Sequence, residues 1–251
     1  MILQIALREL RSLFLSPLAW VILAVIQILL AWKFLSYIEL FFSLQPELIN
    51  IKNAPGVTDL VVAPLFDFSK IILLIITPLI TMRLISEEKQ SGTLKLLLSS
   101  PVSMTEIILG KYLGALLFFI ILLLIMALMP LSLIFSTELD MGKFASGMLG
   151  LFLNVAAFVA LGLYMSTISR QPVTAAAATF GLLIMFWIIN IASNATTEGH
   201  NIFDYISMTH HSFQMLRGIV YSSDIAYFIL FSLGFILLSI RQLDAQRLQY
   251  K

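Results

Sequence analysis

Two adjacent pairs of ionisable side chains, Glu87 with Glu88 and His210 with His211, are where chemistry would first be expected in this sequence. Neighbouring histidines on a helix point about 100° apart, and no nearby carboxylate pattern completes a metal site. An intramembrane hydrolase would need ionisable groups inside an apolar segment, yet the four longest apolar segments have no interior Asp, Glu or His. We therefore predict no catalytic residue and no bound metal, and an intramembrane enzyme stays an alternative.

A nucleotide site is the other chemistry to consider. A phosphate-binding loop needs Gly-x-x-x-x-Gly-Lys-Ser/Thr, because its backbone amides wrap around the phosphates. Gly110-Lys111 and Gly142-Lys143 lack both the earlier glycine and the Ser or Thr that should follow the lysine. Any ATP hydrolysis is therefore expected on a separate polypeptide.

The composition excludes a water-soluble globule. Hydrophobic residues make up 60% of the 251 residues and charged residues 12%, whereas soluble domains average about 45–50% and about 25%. The net charge of +1, from 15 basic and 14 acidic side chains, gives no electrostatic reason to expect a nucleic-acid partner. The sequence has no cysteine, which excludes a disulfide framework and a thiolate metal site.

Uncharged stretches predict the membrane spans, because about 20 apolar residues cross a hydrocarbon core of about 30 Å. Four stretches are long enough alone, and two shorter ones extend outward past interfacial charges. The six predicted spans lie near residues 17–38, 65–84, 108–134, 144–168, 173–194 and 222–240. Basic residues concentrate on the side of the N-terminus, which predicts that both termini are cytoplasmic.

Two amphipathic segments flank these spans. In residues 1–16, polar Gln4, Arg8 and Arg11 alternate with an apolar face, which predicts a helix lying on the membrane surface. A continuation of the first span into this segment is the alternative. The mixed apolar and charged segment 195–221 predicts short outer helices that re-enter the interface. The sequence thus favours an all-α membrane protein whose single transmembrane domain covers residues 1–251.

The segment 83–111, between the second and third spans, carries the most specific pattern. Ser86 is placed to cap a helix whose first turn carries Glu87 and Glu88, the charge sign that the helix dipole favours there. After Gly92 a short apolar run begins. We expect a compact helix across one end of the bundle, and an amphipathic loop resting on lipid headgroups is the alternative.

Two signals mark the end of this segment, one that ends a helix and one that begins the next. Pro101 ends the apolar run. Ser103 and Glu106 form a Ser-x-x-Glu capping box that starts the third span. The segment is therefore predicted to be held at both ends by membrane helices.

On these residues the chain resembles a membrane permease of the ABC-2 exporter class. In that class the loop after the second span typically runs Glu-Glu, Gly-Thr-Leu, a Leu-rich turn, a turn with proline, and Gly-Lys. The matching residues are Glu87, Glu88, Gly92, Thr93, Leu94, Leu96, Leu97, Leu98, Ser100, Pro101, Gly110 and Lys111. Within the class, the chain most resembles the gliding-motility-associated and nitrous-oxide-reductase-maturation permeases.

The resemblance implies a permease subunit that dimerises with a second copy or a homologue and binds two ATP-binding ABC subunits through a cytoplasmic coupling helix within 85–103. The residues expected to contact the ATP-binding subunit are Glu87, Glu88, Gly92, Thr93, Leu94, Leu97, Leu98, Ser100 and Pro101. ATP and Mg would be bound by that partner, and no cofactor by this chain. The complex would export a substrate or do mechanical work across the bacterial inner membrane, with a periplasmic accessory protein as a further candidate partner.

Polar residues within the spans are further candidates. The amides of Gln27, Asn154 and Asn190 must find a partner or water inside the membrane, either by joining helices or by lining a pathway. Gly110 and Gly114 form Gly-x-x-x-Gly, which permits close helix approach and is a candidate dimer contact. A self-standing channel or secondary transporter stays an alternative, although such proteins need intramembrane charge or broken helices in matching halves.

Overall fold

The computed structural model describes residues 1–48, 55–94, 102–195 and 208–249, which form nine α-helices and no β-strand. The helices are α1 (Ile2–Leu15), α2 (Pro17–Leu48), α3 (Ala63–Thr81), α4 (Ser86–Gln90), α5 (Met104–Leu131), α6 (Met141–Ile168), α7 (Pro172–Ala195), α8 (Met208–Leu216) and α9 (Ser222–Gln249). A π-helical turn (Thr58–Val62) leads into α3, and a 3-10 turn (Ser132–Phe135) follows α5.

The helices confirm an all-α membrane protein. In the described part of the chain, five helical stretches of 26 to 33 residues are long and apolar enough to cross a bilayer. They contain α2, α3, α5, α6 and α9, and at 1.5 Å per residue each exceeds a hydrocarbon core of about 30 Å. The remaining predicted span, 173–194, corresponds to α7 (Pro172–Ala195), and the described part of this helix is apolar over Pro172–Ile188.

Two helices extend beyond their predicted ends. The first span was predicted to end near residue 38, but α2 continues through Pro46 to Leu48. Similarly, α9 continues to Gln249, past the predicted end near 240. The helices continue past the predicted span ends because a helix need not stop where the hydrocarbon stops: each further residue adds a backbone hydrogen bond at no nucleation cost.

The N-terminal segment forms a helix of its own. Ser16 has an extended backbone (ψ 130°) that separates α1 from α2, and Pro17 begins α2, a position that suits its fixed φ. A continuous first span, the alternative reading, was therefore wrong. Gln4, Arg8 and Arg11 are exposed while Ala6 is buried, as the amphipathic pattern predicted.

The central helix of the bundle is α6, which packs against α3, α5, α7, α8 and α9. Small residues permit these contacts. A Cβ at Gly147 would lie 2.6 Å from the Phe66 ring, and one at Gly162 would collide with Thr81. Because the contacts advance together along both helices, α3 and α6 lie side by side and run in the same direction.

The predicted outer segment is described from residue 208 onward, and residues 196–207 lie outside the described ranges. Helix α8 packs on α6, where Met215 faces Gly150 and the Ser146 hydroxyl donates to the Met215 carbonyl over 2.8 Å. This end of the bundle is opposite the end where α1 and α4 lie.

Candidate functional site

The chain after α3 folds back onto the bundle at the end where α1 lies. Leu84 and Ile85 before α4, and Leu94 after it, are buried in the hydrophobic core. The five-residue helix α4 begins at Ser86 and carries Glu87 and Glu88 in its first turn. Apolar anchors on both sides therefore fix this short helix against the membrane helices.

The start of α4 is capped by another helix. The Ser166 hydroxyl, near the end of α6, accepts hydrogen bonds from the backbone amides of Ile85 and Ser86, both over 3.0 Å. It also donates to the Met82 carbonyl over 3.1 Å. Such caps satisfy amides that the first turn of a helix leaves without partners.

The prediction that Ser86 caps this helix was wrong. The helix starts one residue too early for that role, with Ile85 at the N-cap position and no side-chain cap. The Ser86 hydroxyl instead donates to the Met82 carbonyl. Ser166 takes over the capping role and thereby ties α4 to the central helix.

A buried lysine forms the centre of the site. Lys111 lies two turns into α5 and is only 2% exposed. Its ammonium lies 2.9 Å from Glu88 Oε1 and 3.2 Å from Glu9 Oε2 of α1. Burying a charge is costly unless it is paired, so this triad, which we call the Lys111 triad, holds α1, α4 and α5 in one arrangement.

The other side of α4 contacts the end of the central helix. The Lys89 ammonium donates to the Thr167 carbonyl, and Gln246 of α9 donates to the same carbonyl over 3.2 Å. The last carbonyls of a helix have no partner within it, so these side chains complete the end of α6. Through them α4 and α9 are joined to the same atom.

The outer face of α4 and of the turn after it is exposed. Its residues are Glu87, Gln90, Ser91, Gly92 and Thr93. Gly92 has φ +75°, a left-handed conformation that other residues adopt at a cost. These five residues, which we call the α4 surface, are accessible to a second protein, whereas Glu88 points inward to the triad.

The loop residues that were predicted to contact an ATP-binding subunit thus occupy different positions. Glu87, Gly92 and Thr93 lie on the α4 surface, Glu88 belongs to the Lys111 triad, and Leu94 is buried and anchors the loop. Residues Leu97, Leu98, Ser100 and Pro101 lie outside the described ranges.

The predicted capping box at the start of α5 is confirmed. The Glu106 amide donates to the Ser103 hydroxyl over 3.2 Å, and the Ser103 amide donates to Glu106 Oε2 over 3.1 Å. The loop is therefore followed by a helix start at a defined residue.

The candidate residues within the spans have different environments. In the described part of the chain, both amide atoms of Gln27 are buried without a hydrogen-bond partner. Asn154 donates to the Gly150 carbonyl over 2.9 Å and lines a cavity at the opposite end of the bundle. Asn190 belongs to α7, and its side chain is outside the described part.

Gly110 and Gly114 face α1 of the same chain. A Cβ on Gly110 would lie 2.6 Å from Ile5 Cβ, and one on Gly114 would lie 2.7 Å from Glu9 Cβ. The close approach that the motif predicts is therefore made by α1, and it brings Glu9 within reach of Lys111. A dimer contact at these glycines stays a prediction.

Sequence reasoning did not place Glu9, Lys111 and Ser166 in this site. In the sequence, Lys111 was used only as part of the Gly-Lys element that resembles the ABC-2 loop and as the charge that ends an apolar stretch. The signal for Glu9 was its position one turn from Ala6 and Leu13, on the apolar face of α1, where an acidic residue needs a partner.

The sequence matches a protein family over nearly its whole length. The model of the ABC-2 family transporter protein covers residues 3–242, nearly the whole chain. No curated protein matches the sequence.

Proposed function

Because the chain belongs to the ABC-2 family of transporter proteins, we propose that it is the permease subunit of a complex driven by ATP hydrolysis on a separate subunit. The observation that supports this function is the attachment of α4, whose one face is exposed and whose other face is joined to membrane helices by the Lys111 triad and Ser166. A push on the α4 surface would reach those helices through short polar contacts.

The contacts divide this transmission into two routes. The Lys111 triad connects α4 with α1 and α5. Ser166 and the Thr167 carbonyl connect it with the central helix α6 and, through Gln246, with α9. Closure of two ATP-binding subunits would move α4 and shift the permease between two conformations. The shift in the free energy of this equilibrium cannot exceed the difference between the free energies with which the ATP-binding subunits bind the two conformations.

The proposed assembly contains two permease copies and two ATP-binding subunits. In this proposed assembly the α4 surface faces the cytoplasm, which agrees with the excess of basic residues predicted for that side. The membrane in this proposal is the bacterial inner membrane. The complex exports a substrate or transmits mechanical work to a periplasmic protein. The chain itself acts as a non-enzymatic subunit, and ATP and Mg bind to its partner.

The α4 surface provides the test. We would co-express the full chain with the ATP-binding subunit encoded beside its gene, purify the complex, and measure ATPase activity with and without the permease. Ser91→Arg adds a bulky cation to the exposed α4 surface and is expected to reduce both co-purification and stimulation of the ATPase at least tenfold.

Ser136→Arg is the matched control, because Ser136 is exposed at the opposite end of the bundle. It should leave both measurements unchanged. Full ATPase stimulation by the Ser91→Arg variant, or an equal loss with both variants, would count against docking at the α4 surface.

A further inference from the structure

A cavity of about 190 Å³ lies at the end of the bundle opposite α4, between α3, α6, α7 and α8. Its size exceeds that of an engineered apolar cavity of about 150 Å³ that takes up benzene. The cavity therefore has room for a segment of a hydrocarbon chain. The proposed ATP-driven function does not use it.

The cavity extends from the bundle end toward the middle of the spans. Asp67 and Lys70 lie in the first two turns of α3, and Leu74 lies seven residues after Asp67, about 10 Å along the helix. Asn154 of α6 is level with Leu74, since α3 and α6 run side by side in the same direction. One end of the cavity is thus at the interfacial level and the other in the hydrocarbon.

The walls of the cavity are mostly apolar, with Phe158, Leu183 and Phe186 among its lining residues. Two further lining residues, Ile71 and Trp187, are 42% and 40% exposed. In membrane-spanning helices such exposed apolar residues face lipid, so the cavity opens sideways between α3 and α7. A lipid chain can enter it without leaving the bilayer.

The interfacial end carries opposite charges side by side. The Lys70 side chain is 11% exposed, and its ammonium lies 2.7 Å from Asp67 Oδ1, while the Asp67 side chain is 57% exposed. Lys70 also donates to the Ser212 hydroxyl over 3.4 Å. An ammonium has three donors, and within the described part of the chain the third has no partner, so it is available to a ligand in the cavity.

This charge arrangement selects among headgroups. A phosphate can accept from Lys70, but an anionic headgroup alone would also meet the Asp67 carboxylate. A zwitterion with a primary ammonium satisfies both, because that ammonium can donate to Asp67. A quaternary ammonium has no N–H and cannot make that hydrogen bond.

We propose that the cavity binds one phosphatidylethanolamine-type lipid of the surrounding bilayer, with a chain segment between α3 and α7, the phosphate on Lys70 and the ammonium on Asp67. The proposal depends on the membrane location of the chain and not on ATP-driven transport.

Fluorescence of Trp187 tests the proposal, because bromine atoms on a lipid chain quench a tryptophan that they contact. The full chain would be placed in phosphatidylcholine nanodiscs, with Trp20→Phe and Trp32→Phe leaving Trp187 as the only tryptophan. Lipids brominated on one chain and carrying ethanolamine, choline or glycerol headgroups would be added at increasing mole fraction.

A variant that keeps Trp32 alone is the control. Trp32 is 60% exposed on α2, and its neighbour Lys33 lies 5.2 Å from the Phe68 ring of α3, so Trp32 is close in depth to the interfacial end of the cavity. It should report only the lipids that surround the protein, with quenching in proportion to mole fraction for all three headgroups.

We expect brominated ethanolamine lipid to half-quench Trp187 at a mole fraction about tenfold lower than the other two lipids, as the loss of one hydrogen bond to a charged group would predict. Asp67→Ala removes the acceptor of the lipid ammonium, keeps Lys70 for the phosphate, and should remove this preference. Leu183→Phe fills the cavity and keeps both charges, and should also remove it, so the result does not depend on one variant that could fail to fold.

The proposal would be overturned if all three lipids half-quenched Trp187 at the same mole fraction, or if Trp187 responded as Trp32 does. A preference that survives both Asp67→Ala and Leu183→Phe would overturn it too. Soluble phosphoethanolamine at millimolar concentration should not reduce the quenching, and displacement by it would show that the headgroup binds without the chain, against the proposed lipid.

Discussion

Replacing Lys111 by methionine removes the cation that joins α1, α4 and α5. Its ammonium contacts Glu88 and Glu9, and the three side chains are 3%, 20% and 14% exposed, so water screens these contacts little. Removing one partner of a buried ion pair costs about 3–5 kcal/mol. We expect Lys111→Met to lower the free energy of unfolding by about 3 kcal/mol, measured by SDS titration of the purified chain in mixed micelles.

The opposite end of the bundle offers a matched control. Lys143 lies 2.7 Å from Asp59, but these side chains are 32% and 39% exposed, and exposed pairs contribute at most about 1 kcal/mol. Lys143→Met should therefore change the stability by less than about 1 kcal/mol. If the two Lys→Met variants lost the same stability, the interpretation of the Lys111 triad as a buried structural link would be wrong.

The same triad predicts a separation of stability from function. Glu88→Gln keeps an acceptor for Lys111 and loses a charge-assisted hydrogen bond, at a cost of about 1 kcal/mol. The folded permease should still bind its ATP-binding subunit through the α4 surface. Less of the movement that ATP hydrolysis causes in that subunit should be transmitted from α4 to α1 and α5. Unchanged coupling at unchanged assembly would remove the triad from the transmission route.

Three further substitutions test individual contacts by the same SDS titration. Gly114→Ala should destabilise the chain by about 1–3 kcal/mol by pushing α1 away, whereas Gly181→Ala, with open space around its Cβ position, should be neutral or stabilising. Ser166→Ala should cost about 1–3 kcal/mol and speed hydrogen exchange of the two amides at the start of α4, whereas Ser239→Ala, which loses only a bond within its own helix, should cost less. Gly92→Ala should cost about 1 kcal/mol through its left-handed backbone alone. Equal losses of stability for Gly114→Ala and Gly181→Ala, or for Ser166→Ala and Ser239→Ala, would contradict these assignments.

The spans were predictable because the bilayer imposes one requirement on every helix that crosses it. About 20 consecutive residues must be free of uncompensated charge, and each stretch of sequence can be tested for this without knowing the rest of the fold. The capping box of Ser103 and Glu106 was predictable for the same reason, since its partners are three residues apart.

The candidate site was only partly predictable, because its contacts are distant along the chain. Glu9 and Lys111 are separated by 102 positions and Ser86 and Ser166 by 80. The local sequence pattern predicted that Ser86 caps α4, but the Ser166 hydroxyl of α6 accepts the hydrogen bonds from the first amides of that helix. In the sequence, Lys111 stands at the end of an apolar stretch. Its burial becomes visible only in the structure, where α1 covers it.

Glu87 and Glu88 are adjacent in the sequence and have opposite environments, which follows from helix geometry. Consecutive side chains on a helix diverge by about 100°, so a short helix lying on the bundle cannot turn both carboxylates the same way. Glu87 is exposed on the α4 surface, and Glu88 contacts the buried Lys111. A five-residue helix therefore has one face for a partner and one for the membrane helices, and because it is too short to be stable alone, its position is set by what contacts those two faces. This dependence on both faces is the physical property that a coupling element needs.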